Sequence, residues 1–330
     1  MTIPRVSIIM PVYNVEAYVG EAVKSVLDQT FADFELLIID DGGTDASIEI
    51  CSRFDDPRIR IISQPNRGLA GARNTGIIHA RGEYIALLDS DDRWMPEKLM
   101  LHVIHLDAAP SVGVSYSGSR FIDGSGTPLR QAQRPKLKNV TAADILCRNP
   151  VGNGSAPVIR RSVLEMVAHA HPEDSSRICH FDESFRQSED IELWVRLALR
   201  ANCKFDGISG LMTEYRVIAG GLSANVVRQY ETWTRMLAKV EDIDPAFVAE
   251  HGARARAYQL RYLSRRSVQL GDGSFAISLF LQAMKSSLSP LIEEPVKTAA
   301  TFAAAHLARW LKPEHFLRIS RRWTGAKVVA

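Results

Sequence analysis

From residue 6 the chain alternates short apolar runs with helical stretches on a regular beat. Val6–Val12 is a continuous apolar run of strand length. Residues 16–29 follow with Val19, Ala22, Val23, Val26 and Leu27 at helical spacing. Residues 34–39 form a second apolar run, 44–54 a second helical stretch and 58–63 a third strand. Residues 69–80 read as helix, with Gly82 near the C-terminal cap, and 84–88 as a fourth strand. Apolar strands separated by helices predict βαβ units and a mostly parallel sheet covered on both faces.

In such a sheet ligands gather beyond the carboxyl ends of the strands. The polar clusters fall there: Tyr13-Asn14, Asp40-Asp41-Gly42-Gly43 and Asp89-Ser90-Asp91-Asp92. Periodicity alone therefore brings three clusters to one edge.

Further on the pattern is mixed. Residues 112–116 and 156–160 read as short strands, 142–147 as a short helix and 211–217 as a strand. Residues 123–139 are polar, basic and turn-rich, which predicts a mobile loop. A helix is expected from Ser188, with Ile191, Trp194, Val195 and Ala198 on one face. Beyond 226 the chain reads as all helix. Two amphipathic helices there flank Gly271-Asp272-Gly273, a single hairpin that one copy does not make into an array. Phe316 and Trp323 stand among basic residues in the last stretch, 313–330.

Composition narrows the classes. At 330 residues, 46% hydrophobic and 24% charged, the chain is of soluble globular type with about two domains. Lys plus Arg number 40 against 38 Asp plus Glu, a net charge of +2 that argues against a general nucleic-acid binder. Cysteines 51, 147, 179 and 203 have neither CxxC nor CxxxC spacing, so no zinc site is expected and a reducing compartment fits. No stretch reaches the roughly 20 apolar residues of a spanning helix, and His306 and Arg309 interrupt the nearest approach. The apolar run after MTIPR is too short for a signal peptide. The expected location is cytoplasmic, with at most peripheral attachment to the inner face of the cell membrane.

The first strand-to-helix turn, Pro11-Val12-Tyr13-Asn14, has no GxGxxG, and the chain has no GxxxxGK[ST], so dinucleotide and P-loop readings fail. Asp89-Ser90-Asp91 offers something else. Two carboxylates two residues apart in an extended turn can grip one hard divalent cation, which keeps water and takes phosphate oxygens. Acidic turns are common, but the Asp40-Asp41 pair at a neighbouring strand end turns a weak signal into a strong one.

The segments VSIIMPVYN, IIDDGGTD, NRGLAGARNTGI and RGEYIALLDSDD, in that order, resemble family 2 glycosyltransferases of the GT-A fold, of the bacterial cell-surface polysaccharide type. SEDIELWVRL and a weaker YRVIAGGLS extend the resemblance over about residues 4–225. It implies a nucleotide-diphospho-sugar donor, a divalent metal (Mg²⁺ or Mn²⁺) and inversion at the anomeric carbon. Carried over by position, Pro11 and Tyr13 border the base, Asn14 is donor-binding beside them, Asp41 bonds a uracil ring, and Arg73 contacts the nucleotide. Asp89 lies on the ribose or metal side and Asp91 is the metal ligand. Asp190 is the general base, with Glu189 beside it to orient it or touch the acceptor. The bland readings make Tyr13 packing, Asp40 or Asp41 a cap for the helix near Thr44, Arg73 an exposed helical charge, and Glu189 and Asp190 dipole partners of a helix start.

The chain departs from the family pattern in places. Gly43 stands where relatives usually carry Ser, and Ile218 where many place His after Tyr215-Arg216. Ile218 ligates no metal, which leaves Arg216 to supply charge to the donor. Gln229-Tyr230-Glu231-Thr232-Trp233 lacks the Arg of the processive QxxRW motif, so polymer synthesis is not expected.

The resulting expectation is an α/β GT-A domain over 1–225 and a helical extension over 226–330. Its function would be metal-dependent, inverting transfer of one sugar, uridine-linked, to a hydroxyl of a glycan or lipid-linked acceptor. A polyprenyl-phosphate acceptor, met by basic residues 130–138, is one rival. A non-catalytic nucleotide-sugar-binding protein is another, and the presence of Asp190 speaks against it. The C-terminal tail is expected to touch a membrane surface; sugar, linkage and oligomeric state are not encoded legibly.

Overall fold

The computed structural model describes residues 3–218 and 225–311. The chain opens with β1 (Val6–Val12), α1 (Val19–Leu27), β2 (Phe34–Asp40), α2 (Ser47–Ser52), β3 (Ile59–Ser63), α3 (Gly68–His79) and β4 (Tyr84–Leu87). Next come β5 (Arg93–Trp94), α4 (Lys98–Ala108), β6 (Val112–Ile122), β7 (Pro128–Gln133), α5 (Ala142–Arg148), β8 (Val158–Arg160) and α6 (Arg161–Glu165). A hairpin of β9 (His169–His171) and β10 (Asp174–Cys179) leads to α7 (Glu189–Arg200) and β11 (Lys204–Arg216). Five helices end the described chain: α8 (Val226–Ile243), α9 (Pro245–Gln269), α10 (Gly273–Ser286), α11 (Ser289–Glu293) and α12 (Pro295–Trp310).

The chain divides into two compact units. One holds residues up to Thr141 and Pro150–Arg216; the other holds Ala142–Asn149 and the chain from Val217 onward.

In the first unit the sheet order is β3-β2-β1-β4-β8-β6-β11-β5, with β7 beside β6. β1 is buried at every position, which is why its sequence shows no polar alternation. It pairs in parallel with β2 from Val6↔Phe34 to Val12↔Asp40, and with β4 from Val6↔Tyr84 to Ile9↔Leu87. That register puts the residues after β1, β2 and β4 at one edge. Ile8, Met10, Leu36, Ile38 and Ala86 pack with Val19, Val23 and Val26 of α1 and Leu99, Val103 and Leu106 of α4.

Two expectations change here. The strands read over 112–116 and 211–217 extend to the full β6 and β11, because they pair in parallel with each other across register shifts. Their outer halves carry polar residues that pattern alone does not mark as strand. The loop expected over 123–139 contains β7, antiparallel to β6. β7 pairs only with β6 and is largely exposed, so it can be polar and still be a strand.

The second unit is helical throughout its described residues. Asn225, Asp244 and Asp272 cap α8, α9 and α10, accepting from the N–H of Arg228, Phe247 and Phe275. Leu260 and Leu263 of α9 meet Leu279 and Ala283 of α10, and Ala305 and Ala308 of α12 meet Val268 and Ala276. No described helix is long and apolar enough to cross a membrane. The basic tail from 312 lies outside the described residues.

Candidate active site at the carboxyl edge of the sheet

The turns after β1 and β2 interlock. Asn14 adopts φ +50°, and its Oδ1 accepts from the Thr44 N–H at 2.8 Å. A Cβ at Gly43 would stand 3.1 Å from both Asn14 N and Oδ1, so the glycine lets the two turns close on each other. Tyr13 is half exposed beside them (52%), and Pro11 is buried at the end of β1. Asp41 is buried and saturated. Its Oδ1 accepts from Gln64 Nε2 at 2.6 Å and Arg67 N at 2.8 Å, and its Oδ2 from Gly68 N at 2.9 Å. The helix it caps is therefore α3, not the one after Thr44.

The acidic turn after β4 is anchored from distant parts of the chain. Ser155 Oγ accepts from Asp89 N at 2.9 Å and donates to Asp92 Oδ2 at 2.6 Å. Asp92 Oδ1 accepts from Arg216 N at 2.9 Å. The Arg216 side chain is fully buried and donates to the carbonyls of Asp91 (2.7 Å), Asp123 and Gly124 and to Glu21 Oε2 (2.7 Å). Its guanidinium thus reaches the site through the Asp91 carbonyl.

Arg73 joins the two acidic clusters. Only 1% exposed, it donates to Asp89 Oδ1 at 2.7 Å and Glu189 Oε1 at 2.8 Å, with Phe181 beneath it. It is not the exposed helical charge of the bland reading. Burial by itself would lower its pKa, but Asp89, Glu189 and Asp190 outweigh that and raise it. The neighbouring Asn74 fixes the approach to α7: its Oδ1 accepts from His180 N and Phe181 N, and its Nδ2 donates to the Phe181 carbonyl. Ser188, just before α7, sits at φ +61°, a strained conformation for a residue with a Cβ. Glu189 and Asp190 follow in the first turn. Burial, then Glu189, push Asp190 up to about 7, against the pull of Arg73.

Asp89 and Asp91 provide hard carboxylate oxygens, the donor chemistry Mg²⁺ or Mn²⁺ takes alongside phosphate and water. Burial and then the Asp89 charge push Asp91 up to about 6, a charge pattern that a divalent cation relieves. The pair therefore fits such an ion. Among the described residues no group of three or more His, Cys, Asp or Glu could hold one unaided. A recess of about 540 Å³ lined by Arg5, Arg81, Glu83 and Arg160 lies at the opposite, amino-terminal edge of the strands. Sequence reading missed Ser155 altogether. No local signal marks a serine 63 residues from its carboxylate partner. Asp92 stood in view within the DSDD run.

Residues 7–167 match the model of the family described as Glycosyl transferase family 2. The chain is 37% identical over 179 residues to the uncharacterized glycosyltransferase alr2836 of a Nostoc species, covering 51% of this chain and 54% of that protein. The chain thus spans about half the length of that relative. It is 28% identical over 317 residues to the succinoglycan biosynthesis protein ExoO of Rhizobium meliloti, covering 93% and 84%. Among solved structures, Staphylococcus aureus TarS 1–349 in complex with UDP-GlcNAc superposes with a TM-score of 0.60 at 18% identity, covering 97% of this chain and 92% of that one. The mannosyltransferase PcManGT of Pyrobaculum calidifontis, in complex with GDP-Man and Mn²⁺, gives 0.56 at 17% identity, covering 97% and 84%. These two likenesses show the fold. Taken with the strand-end clusters, the match identifies residues 7–167 as a glycosyltransferase family 2 domain, on a GT-A fold.

Proposed function

We propose that the chain transfers one sugar from a nucleotide-diphospho-sugar, uridine-linked, to a hydroxyl of a glycan or lipid-linked acceptor, with inversion and with Mg²⁺ or Mn²⁺. The observation that carries the reading is Arg73, which ties Asp89 of the donor side to Glu189 of the base side. That link supports a reading in which a donor diphosphate and an acceptor hydroxyl bind side by side. The names of the relatives and the UDP-GlcNAc bound to TarS support the reading by analogy.

In this reading Pro11 and Tyr13 border the base, and Asn14 and Asp41 shape the turns around it. Asp91, with Asp89, would hold the divalent ion, which when bound neutralises charge developing on the leaving diphosphate. Arg73 and Arg216 act by holding those carboxylates and their turn. Asp190 takes the acceptor proton as the hydroxyl oxygen attacks the anomeric carbon and the nucleoside diphosphate leaves from the opposite face. Glu189, held by its ion pair with Arg73, stays in place beside it.

The test is a panel of nucleotide sugars screened for metal-dependent hydrolysis and for protection against melting. Asp91→Ala should abolish Mn²⁺-dependent binding of uridine diphosphate in calorimetry; unchanged affinity removes the metal assignment. A polyprenyl-phosphate acceptor is the second reading, drawn by Arg130, Arg134 and Lys136, all exposed on or just after β7. Phosphate and hydroxyl acceptors offered side by side decide between them. Attachment to an anionic membrane surface is proposed for the basic tail on its charge and aromatics alone. Co-sedimentation with anionic liposomes, full length against a chain ending at 312, checks it.

A further inference from the structure

We propose that the Asn153-Gly154-Ser155 turn is a positioning device for the acidic turn, and that Ser155 fixes the direction in which Asp89 and Asp91 face the diphosphate. The inference rests on the reading of those two aspartates as the diphosphate side of the site. It assigns to the donor machinery a stretch of chain that no sequence motif marks.

Ser155 is fully buried, and each of its polar groups is engaged. A hydroxyl has one hydrogen to give. Here it goes to Asp92 Oδ2, which leaves an oxygen lone pair for Asp89 N–H. The Ser155 carbonyl accepts from Trp94 Nε1 at 2.9 Å and Thr213 Oγ1 at 3.3 Å, which fixes the serine itself. Asn153 completes the turn: its Oδ1 accepts from Ser155 N at 3.1 Å, and its Nδ2 donates to Ser119 Oγ at 2.8 Å.

Gly154 brings this turn against the Asp89 carboxylate. A Cβ there would stand 2.2 Å from an Arg73 guanidinium nitrogen and 2.8 Å from Asp89 Oδ2. Arg73 therefore holds Oδ1 of Asp89 while the Gly154 backbone packs beside Oδ2, so the carboxylate has one orientation. With Asp89 N and Asp92 on Ser155, and the Asp91 carbonyl on Arg216, the turn is held at three of its four residues. A site built this way meets its ligand without first ordering itself.

The test uses the full chain and three variants. Ser155→Ala removes the hydroxyl, Ser155→Thr keeps it, and Asn153→Ala loosens the turn at one remove. Calorimetry with uridine diphosphate at a series of Mn²⁺ concentrations should show metal-dependent affinity reduced about 10-fold or more for Ser155→Ala. The loss should be smaller but of the same sign for Asn153→Ala, with recovery towards the parent in Ser155→Thr. In the metal-free protein, amide exchange should rise for the peptide containing Asp89 in Ser155→Ala while β1 stays protected. A merely structural loss would instead raise exchange across the sheet. If Ser155→Ala does not fold, Asn153→Ala carries both measurements. Binding within twofold of the parent in the folded variants overturns the proposal. Asp91→Ala run alongside separates the failures: if it too binds normally, the reading of the acidic turn falls, and if it alone loses binding, only the positioning role does.

Discussion

Asp190 shows how much one residue's surroundings set its chemistry. Burial and the adjacent Glu189 hold its carboxyl near 7, against an ordinary 3.8. A proton acceptor works best with a pKa close to the operating pH, so transfer at saturating substrate should climb through about pH 7 and flatten above it. Asp190→Asn should keep donor binding and lose about 10²–10⁴-fold in rate. Transfer retained within a few-fold would move the base elsewhere. The same shift has a stability sign. A carboxyl whose folded pKa is raised binds its proton more tightly when folded, so its contribution is greatest below about 4 and declines until about 7. Asp190→Asn should therefore melt higher than the parent at pH 8, with the gap closing at pH 4. Arg73 carries the opposite expectation. Replacing it with Met strands the carboxylates of Asp89 and Glu189 around an apolar side chain, which costs about 3–5 kcal/mol. Denaturant unfolding measures it, and a loss below about 1 kcal/mol would show that solvent or a rotated side chain compensates.

Among the elements, those read most clearly in sequence bury a whole face. β1, β2 and β4 are mostly apolar and almost wholly buried, and α1 shows its spacing because one side meets the sheet. β7 reads as loop in sequence because half of its residues are exposed and, among the described strands, it pairs with β6 alone. The added parts of β6 and β11 are invisible for another reason: Ser117, Ser119 and Asp206 are polar yet buried, so pattern alone does not mark them as strand. The caps come from turn residues that abut a helical pattern. Asp272 lies in the Gly-Asp-Gly turn and accepts from Phe275 N at 2.9 Å. Asp272→Ala should cost about 0.5–2 kcal/mol in thermal unfolding of the helical unit, and Asp272→Asn much less.

For the molecule as a whole, the two units hold together by different means. The first has a deep apolar core, whereas the helical unit adds a charged hub at the start of α12. Glu293 accepts from Arg148 and Arg254 at 2.6 and 2.9 Å, and Glu294 pairs with Arg261 and Lys297. Burial would raise the Glu294 carboxyl, but Lys297, Arg261 and Arg148 outweigh it and hold it at about 2. A depressed folded pKa means stability that is present above the ordinary 4.5 and lost as pH falls through about 2. Scanning calorimetry between pH 6 and 2 should show the transition of the helical unit falling more steeply in the parent than in Glu294→Gln. Equal slopes would place the acid sensitivity elsewhere.

The sequence by itself determined the alternation of strands and helices up to residue 90, and with it the edge where Tyr13, Asp41 and Asp89 emerge. It could do so because periodicity and strand-end position are local properties of a chain. It also named Asp190, through the resemblance of SEDIELWVRL to the family's acidic pair before a Trp-bearing helix. Only the tertiary structure decided what those residues touch. The bond from Arg73 to Glu189 spans 116 residues, and the Arg216 clamp on the acidic turn spans 125. Ser155 and Gly154 carry no local mark, because a hydroxyl or a missing Cβ acquires meaning only from the partner brought against it. The assignment of α5 to the helical unit rests likewise on Arg148 meeting Tyr258 and Glu293. Such contacts depend on how separate elements pack, and no window along the chain contains them.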